Sequence, residues 1–188
     1  MKSIRLQLEA IISKIEPLDE LEHLHQTETL QWIRGDDPLF RIQKPNIPSK
    51  HLVSYCVVFD PYSRKILLTE HKKSNLWLPP GGHVEINEHP KITAQRECEE
   101  ELRTKGIHFL FDFPIFLTVT PTVEATIESH IDVSLWYVLR GLDTNCYKFN
   151  EEEFHSIRWF NFNEIPYERS DRHMKRFLKK LATITTVS

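Results

Sequence analysis

Apolar residues recur at helical spacing near both ends of the chain and at strand-like density in its middle. Leu8, Ile11, Ile12 and Ile15 fall three and four places apart, so residues 4–15 read as an amphipathic helix that Pro17 ends. A second helix is expected over residues 18–33, closed by Gly35 and Asp36-Asp37-Pro38. Pro45 and Pro48 then predict a stiff, extended connection. From His51 the character changes: residues 51–59 are rich in β-formers, Asp60-Pro61-Tyr62-Ser63 carries turn residues, and residues 65–71 resume the strand pattern. Together these segments predict a hairpin. Further strands are expected over 108–119, 130–139 and 154–160, with a short helix after Phe162. The last helix places Met174, Phe177, Leu178 and Leu181 in register. No repeat or low-complexity tract interrupts this order.

One helix, between the hairpin and the later strands, carries chemistry. Pro90 suits a first helical position, and the turns are expected to run on through Arg103 to Gly106, a residue type that commonly ends helices. Glu97, Glu100 and Glu101 then stand at i, i+3 and i+4, so their carboxylates share one face. Like charges at that spacing oppose an isolated helix by roughly 0.2–0.5 kcal/mol per pair. A hard cation such as Mg²⁺ or Mn²⁺ would convert the repulsion into coordination. A glutamate run alone is usually a solvated face. Here it is joined by Gly82, Glu88 and Arg96 at fixed offsets. Six such positions coincide by chance on the order of once in ten million placements.

The run Gly, five residues, Glu, seven residues, Arg-Glu, an apolar residue, any residue, Glu-Glu resembles the signature of the Nudix hydrolases. Cys98 fills the apolar position, and the match holds through Glu101. It then departs: Arg103 stands where the family has its last glycine and Thr104 where an apolar residue belongs, while Gly106-Ile107 restores that pair three residues later. A box helix about one turn longer would explain the shift. The segment from His51 through Gly82-His83-Val84-Glu85 looks like a bacterial Nudix subgroup with a helical N-terminal extension. The resemblance implies an α/β fold, a Nudix-type α/β/α sandwich with a mixed sheet, over residues 49–188, preceded by a helical extension and linker over residues 1–48.

Composition narrows the setting. The 188 residues suit one ordinary domain plus a small extension, and 40% hydrophobic content can supply one core. No window approaches the ~18 consecutive apolar residues of a membrane span, and Met-Lys-Ser-Ile-Arg leads into a charged amphipathic stretch without a signal-peptide pattern. Cys56, Cys98 and Cys146 lack metal-type spacing and read as reduced thiols of a cytoplasmic protein. A formal charge of −3 offers no basic field for a nucleic acid duplex. The helical arm, residues 1–35, is open to two readings: packing on its own core, or binding a partner such as a second copy in a homodimer.

The resemblance also assigns roles. It implies that Glu97, Glu100 and Glu101 bind the metal, that the Gly81 carbonyl completes the set, and that Gly82, Glu88 and Arg96 are structural, Arg96 bridging carboxylates with its planar guanidinium. Catalysis needs a base within hydrogen-bond reach of the attacking water. In this family it comes either from the box or from a later loop. Glu151-Glu152-Glu153, ahead of the strand leading to Trp159, is the later source, Glu153 first and Glu152 next. For substrate, Lys72 and Lys73 could meet phosphates, Trp77 and Tyr55 could stack on a base, and His83 and His130 could touch phosphate or sugar. The implied reaction is hydrolysis of a phosphoanhydride in a nucleoside diphosphate linked to another moiety, such as ADP-ribose, a nucleoside triphosphate or a nucleotide sugar. The alternative is a Nudix-fold module that binds nucleotides without cleaving them.

Overall fold

The alternation beginning at His51 forms β1, Lys50–Asp60, in which nearly every residue is buried, so both faces of the strand are covered. A computed structural model describes residues 3–43, 47–122 and 130–186; Pro45, part of the expected stiff connection, lies outside them. The chain leaves β1 through a turn in which the Asp60 carboxylate accepts the Tyr62 and Ser63 amides at 2.8 and 3.3 Å. It returns as β2, Lys65–His71, antiparallel to β1 with Val58 opposite Leu67 and Asp60 opposite Lys65. The expected hairpin is present.

Two short strands follow, β3 (Trp77–Leu78) and β4 (Gly81–His83), then the box helix α3, Pro90–Glu101. The strand expected over 108–119 is two: β5, His108–Phe109, and β6, Phe116–Thr122. Strand β7, His130–Arg140, pairs antiparallel with both. Strand β8, Phe154–Asn161, lies antiparallel to β2 with Leu67 opposite Trp159. The strands form one hydrogen-bonded sheet in the order β3-β2-β1-β7-β5, with β4 on β1, β6 on β7 and β8 on β2. The short helix expected after Phe162 is a 3-10 turn, Tyr167–Arg169.

Two compact units divide the chain, one built from residues 1–55, 82–94 and 113–137, the other from 56–81, 95–112 and 138–188. In the first, α1 (Ile4–Ile12) and α2 (Glu20–Arg34) cap each other. Arg5 donates to the carbonyls of Ile33 in the last turn of α2 and of Gly35 and Asp37 just past it, and Gln26 donates to those of Ile12, the last residue of α1, and Ile15 beyond it. These bonds satisfy carbonyls that a helix end leaves without a partner. Asp19 caps α2 by accepting the Glu22 amide at 2.9 Å. The fully buried Glu22 side chain accepts from Leu18 N at 2.7 Å and, across to β6, from Leu117 N at 3.3 Å. The helical arm therefore packs on strand β6 of its own chain.

In the second unit the last helix, α4 (Met174–Thr186), buries Met174, Phe177, Leu178 and Leu181, the four residues its spacing placed in register. The end of α3 differs from expectation. The helix stops at Glu101 instead of continuing through Arg103, and Arg103 takes a left-handed φ of 44°. That is where the family has its glycine, so the arginine adopts the glycine's conformation. Gly106, at φ 74°, makes a later turn. Among the described residues no helix is long and apolar enough to cross a membrane.

Candidate active site

Helix α3 is aimed by the loop before it. Glu88 Oε2 accepts from Thr93 Oγ1 at 2.7 Å and from the Glu85 amide at 3.3 Å, closing the turn into the helix. Ser54 of β1 donates to the Pro90 carbonyl at 2.8 Å. The placement of Glu88 is thus that of a brace at the helix entrance.

The three box glutamates are not equivalent. The side chain of Glu100 is 62% exposed, while that of Glu97 is 15% exposed and Glu101 as a whole 5%. Arg96 Nη1 contacts Glu97 Oε1 at 2.7 Å and Glu100 Oε2 at 3.6 Å, so the guanidinium spans these two carboxylates. Burial pushes Glu97 above the ordinary carboxylate range, against the opposing pull of Arg96. Burial pushes Glu101 well above that range, and the nearby charges of Glu97 and Glu153 push it further; a bond from the Gly81 backbone opposes this. Glu101 Oε2 is buried without a hydrogen-bond partner. An oxygen in that position is answered either by a proton or by a cation.

The later loop brings Glu153 into the same field. The Lys72 amide donates to the Glu153 carbonyl at 2.9 Å, and Lys72 Nζ donates to the Glu151 carbonyl. Asn150 ties the loop to the helix: its amide donates to the Glu101 carbonyl at 3.0 Å, and its side chain donates to Glu153 Oε1 at 3.3 Å. Lys72 accordingly holds the loop. Glu152 is exposed, with its amide on Asn150 Oδ1. Near the glutamates, the buried Cys56 thiol donates to the Pro80 carbonyl at 3.3 Å and shares a hydrogen bond with the Cys98 thiol; both cysteines are free, as is the exposed Cys146.

The remaining substrate candidates divide. Trp77 stands edge-on to Phe160 at 5.0 Å, and its carbonyl accepts from Ser170 Oγ, so it packs within the second unit. Tyr55 packs on Trp136 at 4.7 Å in the first unit, and Lys73 is exposed. His83 and His130 belong to a separate group in the first unit, with His51 and Asp132. Burial pushes His83 down to about 3, and Arg41 and His51 add to that. His51 and Asp132 were missed as site residues in the sequence, although His130 and Asp132, two apart on a strand, share a face. Asn150 was missed too, because a loop asparagine carries no spacing signal.

Comparison with known proteins bears on the family and the fold. A sequence profile of the NUDIX domain matches residues 49–181. The fold is similar to that of a MutT NUDIX hydrolase from Burkholderia pseudomallei, with a TM-score of 0.53 and 18% identity over 70% of this chain and 98% of the other. It is also similar to a C. elegans Ap4A hydrolase (0.52, 17%, 72% and 99%) and to the E. coli dihydroneopterin triphosphate pyrophosphohydrolase (0.52, 12%, 68% and 94%). The m7GpppN-mRNA hydrolase NUDT17 of Xenopus laevis is 41% identical over 54 residues, 26% of this chain and 18% of that protein's length. The chain belongs to the Nudix family, and its box keeps the carboxylates of that family's signature.

Proposed function

We propose that the chain uses Mg²⁺ or Mn²⁺ to hydrolyse a phosphoanhydride bond in a nucleoside diphosphate linked to another moiety, such as ADP-ribose, a nucleoside triphosphate or a nucleotide sugar. The observation that carries this reading is the buried, unpartnered Oε2 of Glu101 in the field of Glu97 and Glu153. Such a donor set of carboxylate oxygens fits a hard divalent cation. Glu97, Glu100, Glu101 and the Gly81 carbonyl would hold it. When bound, the ion polarises phosphoryl oxygens and offsets the charge that develops on the leaving phosphate.

The chain's own residues do the positioning. Arg96 fixes Glu97 and draws Glu100 toward the same side. Glu153 is the base that takes the proton from the attacking water, while Asn150 and Lys72 fix the loop that presents it. Similar proteins support the substrate class: an Ap4A hydrolase, a dihydroneopterin triphosphate pyrophosphohydrolase and an m7GpppN-mRNA hydrolase.

The test is a panel of nucleotide derivatives incubated with Mg²⁺ or Mn²⁺, with the products identified. Turnover of at least one nucleoside diphosphate derivative is expected. Activity that survives Glu100→Gln and Glu101→Gln together would overturn the reading. Tight nucleotide binding with no turnover under any metal would replace it with a binding module.

A further inference from the structure

The glutamates leave unused a second set of metal-ligating atoms, all within the first compact unit. His51 of β1, His83 of β4 and Asp132 of β7 each offer a ligand atom, and the three atoms lie within 4.8 Å of one another. Main-chain pairing brings them together. The Ile131 amide donates to the Ser49 carbonyl at 2.6 Å, and the Val84 amide donates to the Leu52 carbonyl at 3.1 Å, so both segments flank the start of β1.

Protonation logic then limits what the set can do. His51 Nδ1 lies 2.9 Å from the Pro48 carbonyl oxygen. A carbonyl only accepts, so Nδ1 carries the hydrogen, and in the neutral ring Nε2 is a lone pair. That Nε2 is buried without a hydrogen-bond partner, and it faces Asp132 Oδ1 at 3.2 Å. Two lone pairs so close repel unless a cation joins them. A proton on His51 would satisfy that pair but would leave the buried, unpartnered Nε2 of His83 as it is. A metal ion would engage a nitrogen of each imidazole and a carboxylate oxygen of Asp132 at once.

The surrounding contacts are those that ligands use. A metal-binding histidine usually donates its other ring N–H to a carbonyl or carboxylate, as His51 does to Pro48. A ligating carboxylate is usually hydrogen-bonded as well, and His130 Nε2 stands 3.4 Å from Asp132 Oδ2. The His51 ring packs against both neighbours, 4.8 Å from His83 and 5.4 Å from His130, which limits its rotation. Arg41 opposes a cation here, since its charge already acts on His83.

We infer that His51, His83 and Asp132 form a binding site for a borderline transition-metal ion such as Zn²⁺, made of ligands other than the box glutamates. Two imidazoles and one carboxylate favour such an ion over Mg²⁺, which prefers an all-oxygen set. Ligands about 2.0–2.2 Å from a tetrahedral zinc lie roughly 3.4 Å apart; the His51–Asp132 pair, at 3.2 Å, is already so spaced, and His83 needs to draw in by only about 1 Å. Three protein ligands leave a coordination position open to water or to a donor atom of another molecule.

The experiment is a titration of the chelator-treated full chain with Zn²⁺ by calorimetry, in excess Mg²⁺ to keep the carboxylates engaged. Visible absorption after loading with Co²⁺ runs in parallel. The expected result is one Zn²⁺ per chain and a Co²⁺ spectrum of nitrogen-ligand type. His83→Gln and Asp132→Asn should each weaken Zn²⁺ by at least about 100-fold. Glu97→Gln with Glu101→Gln should leave Zn²⁺ binding unchanged while removing hydrolysis, which separates this inference from the proposed function. Asp132→Asn is nearly isosteric and carries the test if a histidine variant does not fold. The inference is overturned if the wild-type chain does not bind Zn²⁺, if His83→Gln and Asp132→Asn bind it normally, or if the glutamate double variant loses it.

Discussion

Glu97 and Glu101 of α3 and the His83 imidazole of β4 are all drawn out of water, yet burial acts on the acids and on the base with opposite sign. It disfavours whichever form is charged. Glu97 and Glu101 are pushed up and resist ionisation, and their acidic neighbours add to the push. His83 is pushed down and stays neutral, which leaves its ring a ready electron-pair donor. The first group suffers an excess of like charge, and the second an excess of lone pairs. The comparison shows that ligand chemistry can be read from the kind of mismatch a cluster contains, before any ion is identified.

The comparison breaks first at the glutamates, where the largest effect is expected. Glu101→Gln should lower kcat/KM by about 10³-fold, equivalent to about 4 kcal/mol of lost charge stabilisation. Glu153→Gln should cost about 10²-fold as a lost base. Glu100→Gln should cost only about tenfold, because most of that side chain is in water. Steady-state kinetics at saturating Mg²⁺ decides this. Equal losses at Glu100 and Glu101 would show that burial does not rank these residues.

A second prediction concerns a buried imidazole outside the ligand set. His71 packs edge-on to Phe154 at 4.6 Å, and burial pushes it from 6.5 down to about 4. The unfolded chain takes up this proton below about 6.5 and the folded chain only near 4. Stability is therefore full above 6.5 and falls by up to about 3 kcal/mol as the pH drops to 4. Urea midpoints across that range should show the loss, and His71→Gln should flatten it. Glu101 has the reverse sign: raised when folded, it favours the metal-free fold at low pH and loses that contribution as the pH rises through its folded value.

The same reasoning predicts that Glu101→Gln, harmful to turnover, raises metal-free stability at neutral pH by about 1 kcal/mol, measured by denaturant unfolding in chelator. A lower midpoint would mean that the Gly81 bond outweighs the repulsion. The smallest effect belongs to the residue that ends this helix. Arg103→Gly removes a left-handed strain from an L-residue and should stabilise by about 0.5–1 kcal/mol without altering kcat.

Much of this was legible in the chain itself. Periodicity placed the hairpin and α4 because those elements are long enough to repeat a pattern. Strands β3 and β4, two and three residues long, hold no period and were invisible. The end of α3 was misjudged because a glycine signal at position 106 outweighed an arginine that adopts the glycine's backbone at 103. At the site, local spacing revealed the box glutamates. The company of His51 and Asp132 was hidden because strand pairing, which no local spacing records, unites residues eighty-one positions apart.

Glu22 has a consequence for how this protein could be shortened. Its carboxylate, fully shielded, is one terminus of a strut whose other terminus is the Leu117 main chain. Cutting away the first thirty-five residues would leave that peptide N–H facing a newly opened apolar surface. The arm is therefore integral masonry, and a trimmed version should be sticky and short-lived even though every box residue is kept.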